Sequence, residues 1–385
     1  MKKFLLSVAV MAMGANLLTG CSDDNLDDNS IENIPGEIPV TNGVFVINNG
    51  SAYQSIDGSL TYLDQRTASP AEQDIYRKVN GKLLGGTPND VIVYGEKLYI
   101  AGADENVIFV LNVKNCKELK QVSTTDLLGD GEGRTPRRIA VYDGKVYFTT
   151  YGGYVAAIDT TDFKLQERYQ VGTAPEGLAF DANSLTLYVA NNNYGFGEGS
   201  ISKIDLASGN VTEIKNDKVK SPLDIVVRDD VLYVLDDGYY NDDWTQQLEA
   251  GVYMIGDGDA KLVVPNATGM TALGDMIYTF NDPWGGSGAT YSTFDILSGN
   301  LSTLELSGDS SHKLVSPCAI GVDRNTGNIF IASRQLDPDN GYPSDELPGF
   351  VNIYSNSGQY LDFFDTGVEP HKIEFFYGLA KVVYQ

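Results

Sequence analysis

One phrase returns along nearly the whole chain: Pro-x-x-apolar-x-apolar, a short turn, then apolar-Tyr/Phe-apolar. Copies begin at Pro88 (PNDVIVYGEKLYIAG), Pro136 (PRRIAVYDGKVYFTT), Pro175, Pro222 (PLDIVVRDDVLYVLD) and Pro317 (PCAIGVDRNTGNIFIAS). A degenerate copy near residue 268, ATGMTALGDMIYTFND, lacks the proline but keeps the Ile277-Tyr278 strand, and a last start, PHKIEFF, lies at Pro370. A repeat of roughly 40–50 residues confines the chain to stacked or ring-like arrays of one small unit.

The copy from Pro175 to Ile214 spells out that unit. GLAF, the turn DANS, LTLYVA, the polar loop NNNYGFGEG, SISKIDL, the turn ASGN and VTEI read as four antiparallel strands. Four short strands per repeat are the mark of a β-propeller. After residue 20 no helical periodicity appears, which argues against a helical solenoid. Seven starts predict an all-β, seven-bladed β-propeller of four-stranded antiparallel blades. The ends fit that ring. GVFVINNGSAYQSIDGSLTYLD aligns with the second and third strands of a blade, and PHKIEFF is a first strand without the rest of one. The terminal strands are therefore expected to share one blade and close the ring, removing the exposed edges an open sheet would carry. The tail LAKVVYQ has no assigned place beyond an extra edge pairing.

A length of 385 residues allows two average domains, but the unbroken repeat favours one unit over residues 43–385. The formal net charge of -25 makes nucleic acid a poor partner, because phosphate binding calls for a basic surface. Residues 1–20 read as a leader: a basic Met1-Lys2-Lys3, an apolar FLLSVAVMAMGANLL, then Leu18-Thr19-Gly20-Cys21. That ending resembles a bacterial lipobox, which implies cleavage before Cys21 and acylation of its thiol. An acidic segment follows, and residues 21–42 are expected to form a flexible tether. Cys116 and Cys318 fall in different repeats, so no disulfide is expected between them.

Strand direction decides where the loops meet. If the first strand starts at one face, the second returns to it, so the second-to-third loops and the repeat starts share that face. Those loops are rich in aromatic, amide and acidic residues, among them NNNYGFGEG (191–199), DDGYYNDDWTQQ (236–247) and NDPWGGSGATY (281–291). Tyr53, Tyr151, Phe196, Tyr240 and Tyr342 belong to the same set, and Asn89, Arg137, Arg138, Glu176, Asp224 and His371 bring polar groups near the axis. Rings mixed with Asn, Asp and Gly suit stacking on a large flat ligand, although aromatics can equally cap a core. The residues expected to stack are Tyr194, Tyr239, Trp244 and Trp284, with Asn192, Asp236, Arg137 and Arg334 as polar contacts. Catalysis finds little support. The two histidines, His312 and His371, are not joined by a Gly-x-Ser-x-Gly elbow or by metal-ligand spacing, and the Asp236-Asp237 and Asp242-Asp243 pairs lack the spacing of a calcium loop.

VFVINNGSAYQSIDGSLTYLD, the Pro-x-x-Ile starts and the LYVANNN-type loop, behind an LTGC-SDD leader, resemble the YncE-like, DUF5074-type propeller lipoproteins of Bacteroidetes. Within that group the resemblance is strongest to the BtuG type, surface lipoproteins that bind cobalamin and work with the corrinoid transporter BtuB. The resemblance implies a lipid-anchored protein at the outer membrane, facing outward. Its implied role is to capture a corrinoid without catalysis or cofactor and pass it to a TonB-dependent transporter. Two other classes stay open: a surface propeller for a glycan or protein, and a metal-dependent propeller enzyme of the lactonase or lyase kind.

Overall fold

The structure, a computed structural model, describes residues 37–241, 243, 245–256, 259–282, 288–308 and 312–381. Its strands form six four-stranded antiparallel sheets, each from one stretch of chain: sheet I (88–123), II (136–170), III (175–214), IV (222–265), V (269–303) and VI (316–368). Sheet VII combines both ends of the described chain, with strand Glu37–Asn48 between Ser59–Asp64 and Pro370–Lys381. The expectation of an all-β fold of four-stranded units closed by shared terminal strands holds.

Continuous apolar strands such as Lys97–Gly102 (KLYIAG) and Val231–Asp236 (VLYVLD) do not alternate, because neighbouring sheets cover both faces. Period-2 geometry still sorts the side chains. In sheet VII, Phe45 and Ile47 pack with sheet I while Val44 and Val46 pack with sheet VI. The same division gives buried clusters between sheets I and II, II and III, III and IV, IV and V, and V and VI. With the two clusters on sheet VII, the core returns to its starting point and the ring closes. The fourth strands are the outer ones; Val211–Ile214 is largely exposed, and polar groups along such an edge discourage further pairing.

The repeat prolines have a structural reason. Directly after Pro88, Pro136, Pro175, Pro222 and Pro317 the register with the second strand slips. Proline has no N–H for the ladder and is tolerated at such irregular strand starts, and the slip re-aims the next two side chains. In sheets II, IV and VI both of those residues line the axial channel, and in sheet III Glu176 does.

Two expectations need correction. Sheet VII has three strands, not four: beyond Asp64 the fourth position holds a single bridge, Tyr62 to Glu72, and Pro70 cannot extend it. The intervening chain turns instead into a short helix, Ile75–Asn80, whose Tyr76 is buried between sheets VII and I and donates its hydroxyl hydrogen to Glu118. A second short helix, Thr124–Leu128, follows sheet I with Ser123 as its N-cap. The tether reading to residue 42 runs too far, since Glu37–Val40 pair with Gly378–Lys381. That pairing also gives most of the tail its place. Cys116 and Cys318 are both unbridged. Cys21 lies outside the described residues.

Ile47 sits fully buried in the sheet VII–I cluster. Replacing it with alanine should cost about 2–5 kcal/mol in urea unfolding, whereas Leu297→Ala, at a residue 76% exposed, should stay within about 0.5 kcal/mol. Equal effects would mean that the seam does not carry the ring.

Candidate functional site

The channel mouth is built from the residues just after the repeat prolines. Arg137 donates from Nε to both Glu176 oxygens, at 3.1 and 3.0 Å, and from Nη1 to Asn89 Oδ1 at 2.6 Å. Asn89 returns a bond from Nδ2 to the carbonyl of Pro136, at 3.2 Å, and accepts from Arg138 at its own carbonyl, at 3.1 Å. Glu176 has a side chain only 4% exposed, so the paired guanidinium is what makes its burial tolerable. Tyr151 completes the group: its hydroxyl donates to Glu176, and the Arg137 guanidinium lies 4.6 Å from its ring centre.

From Tyr151 an aromatic path leads outward over the face. Its ring meets Tyr194 edge-on at 5.3 Å, and Tyr194 lies 6.3 Å from Phe196. Asn193 and Tyr194 both have left-handed backbone angles, with φ 55 and 56°, in the short turn that follows the second strand of sheet III. Side chains rarely adopt that conformation, so the exposure of Tyr194 is imposed by the turn. Phe196 is 71% exposed, Tyr240 48% and Tyr194 44%. With Asp237, Gly238, Asn241 and Ser221 they line an open cavity of about 570 Å³ between the loops of sheets III and IV. The wall is stiffened at Gly197, whose φ is +74° and where a Cβ would strike the Tyr239 ring.

Among the sequence-predicted residues, Tyr194 lines this cavity, and Tyr239 supports it from behind in the hairpin Tyr239–Tyr240 with Gln246–Leu248. Asn192 is buried next to the turn, and its Nδ2 has no acceptor. An orphaned donor of this kind costs about 1–3 kcal/mol. Arg137 joins the group through Tyr151. Asp236 does not act at the surface: it is fully buried, with its oxygens accepting from the Ser221 and Gly238 amides at 2.8 Å each. It fastens the loop, and its neighbour Asp237 faces the cavity instead. Arg334 is elsewhere on the face, bonded from Nε to Ser316 at 3.2 Å and 3.7 Å from Asp282, between sheets V and VI. Trp244 and Trp284 lie outside the described residues. Asp236 and Tyr239 are the members of their pairs expected at the ligand, whereas the structure turns Asp237 and Tyr240 outward.

The two adjacent carboxyls are unusual acids. Burial pushes Asp236 up to about 6 despite its two amide donors. Asp237 stands in a concavity open to solvent, yet the surrounding protein, followed by the charge of Glu176, also pushes it up to about 6.

Sheets arranged as one closed ring about an axial channel, with a cavity in the loops of one face, make this protein a β-propeller. The family described as Domain of unknown function (DUF5074) matches residues 42–222, from the closing strand to the start of sheet IV. No curated protein matches the chain. Similar solved structures include a functionally unknown protein from Desulfotomaculum acetoxidans, 10% identical with a TM-score of 0.58 over 87% of this chain and 99% of that one. Hydrazine synthase from Kuenenia stuttgartiensis is 12% identical, with a TM-score of 0.56 over 84% of this chain and 100% of that one. A quinonprotein alcohol dehydrogenase-like protein from Bacteroides thetaiotaomicron is 15% identical, with a TM-score of 0.55 over 88% and 79%. Likeness at such identities is likeness of fold alone.

Two outcomes test the site. Arg137→Met leaves Glu176 buried without its partner and should destabilise the protein by about 3–5 kcal/mol, with much of the loss recovered on adding Glu176→Gln. The exposed Arg134, changed to Met, should shift stability by no more than about 0.5 kcal/mol. The second outcome concerns pH. Each raised carboxyl binds its proton more tightly in the folded protein than in the unfolded chain, so its contribution is complete below the unfolded pKa of about 4 and is lost as pH rises through about 6. Asp237→Asn should therefore flatten the fall in urea midpoint between pH 4 and 7. A constant offset from wild type across that range would contradict the assignment.

Proposed function

We propose that this protein captures cobalamin or a related corrinoid on the loop face of its propeller and delivers it to a TonB-dependent transporter of the outer membrane, to which Cys21 anchors it by lipid. The observation that carries this reading is the open cavity with Tyr194, Phe196 and Tyr240 presented to solvent beside Asp237 and Asn241. Large exposed rings backed by a rigid turn suit a flat ligand, and the flanking carboxylate and amide groups suit the peripheral amides of a corrin. The resemblance of the leader and repeats to corrinoid-binding surface propellers supports the same choice.

The direction of the chain is compatible with an outward-facing site. Strand Glu37–Asn48 has Asn48 beside Pro370, at the loop face, and Glu37 beside Lys381, at the far end. Glu37, where the described chain begins, therefore lies on the side opposite the cavity, so an anchor attached ahead of it would hold the cavity toward the medium.

Calorimetric titration of the purified protein with cyanocobalamin and with cobinamide tests the proposal. One-to-one binding is expected, with Tyr194→Ala and Phe196→Ala each weakening it by about tenfold, as loss of one stacked ring of about 1–1.5 kcal/mol implies. No heat with either corrinoid at about 500 μM would exclude binding tighter than a few kcal/mol supports and sink the reading. Saturable binding of an oligosaccharide at the same rings would then assign the face to glycans, which stack on exposed aromatics by the same physics.

A further inference from the structure

The axial channel contains a group that the cavity on the loop face does not use. Arg137, Arg138, Glu176, Asp224, His371 and Lys372 converge on a space of about 240 Å³ beneath the loop face. Nε2 of His371 is buried there without a hydrogen-bond partner. The charges that act on this imidazole are those of Arg138, Arg137 and Lys372, and together with burial they hold His371 well below the usual histidine range. Two carboxylates line the same space: Glu176, which is occupied by Arg137 and Tyr151, and Asp224. The charges acting on the imidazole are thus positive, and its Nε2 has no hydrogen-bond partner among the described residues.

We propose that the channel binds a small oxyanion, a carboxylate or phosphate, against His371 with Arg138 and Lys372 flanking it. An anion there would cancel part of the positive field and supply the acceptor that a protonated imidazole needs. Binding is then coupled to proton uptake by His371. The other titratable groups lining this space are Lys372 on the strand of His371, Arg137 and Arg138 on sheet II, Glu176 on sheet III, Asp224 on sheet IV and Cys318 on sheet VI, with Glu369 two residues before His371 in the chain and Asp90 in the first strand of sheet I. Asp90 is engaged by the amide of Ile139 at 2.8 Å, so it does not stand in for the anion. This site does not depend on the corrinoid reading.

The chain has two histidines, so its imidazole NMR spectrum contains one signal from His371 and one from His312. Titrating the protein with inorganic phosphate, and separately with acetate, at constant ionic strength should move the His371 signal to saturation and leave that of His312 in place. The pKa of His371 should rise, so that phosphate binds more tightly below the free-state pKa of His371 than above its bound-state pKa, by about tenfold for each unit of rise. Lys372→Met should weaken phosphate while keeping the reporter, and His371→Gln should abolish the pH dependence. Displacement of phosphate by cyanocobalamin would assign the oxyanion to a group on a larger ligand, whereas co-occupancy would assign it to a free ion; either result retains the site. A His371 signal indifferent to both anions, or one moved equally by chloride, would mean that the channel holds only water and would overturn the proposal.

Discussion

The ring depends on one seam. Strand Glu37–Asn48 is held on one side by Ser59–Asp64 and on the other by Pro370–Lys381, which brings together parts of the chain more than three hundred residues apart. Every other sheet is assembled from a single local stretch. Sheet VII alone joins distant parts of the chain and so carries the largest loop-closure entropy. Its inner strand is correspondingly long and apolar, with Val44, Phe45, Val46 and Ile47 completely buried and shared between two neighbouring sheets. Closure also fixes the channel, because each first strand can face the axis only if the sheets on both sides are in place.

On that frame the face is organised by the repeat proline. A proline that cannot donate suits an irregular start, and in sheets II, III, IV and VI residues that follow it face the channel. The fold thereby creates equivalent positions, and the sequence fills them unequally. Arg137 and Glu176 form a buried ion pair, while Leu223 and Cys318 leave other parts of the ring apolar. Above the channel, the turn of Asn193 and Tyr194 pushes rings into solvent on the side of sheets III and IV. Polar chemistry at the axis and aromatic chemistry on the loops are thus products of the same repeat.

What the sequence discloses follows from this division. Regular features leave a periodic trace, so the repeat starts, the shared closing strands, the loop-bearing face and the axial residues Arg137, Glu176 and His371 could all be read from spacing. Features set by a single tertiary contact leave none. Asp236 and Asp237 are indistinguishable as neighbours in a string; which one is buried depends on the Ser221 and Gly238 amides, one of them far along another segment. Tyr239 faces inward because Gly197 of the previous sheet leaves room for its ring. The missing fourth strand of sheet VII is of the same kind, since helix Ile75–Asn80 is short, weakly periodic and held chiefly by the burial of Tyr76.

Tyr151 belongs to both regions of the face. Its ring leans on Tyr194, which borders the open cavity, and its hydroxyl is bound to Glu176, which borders the channel. A molecule that displaced the ring from one side would disturb its hydrogen bond to the carboxylate on the other. Were both spaces occupied, thermodynamic reciprocity would require occupancy of the channel to alter affinity in the cavity by the same factor as the reverse. A single phenol would then let one ligand report on another.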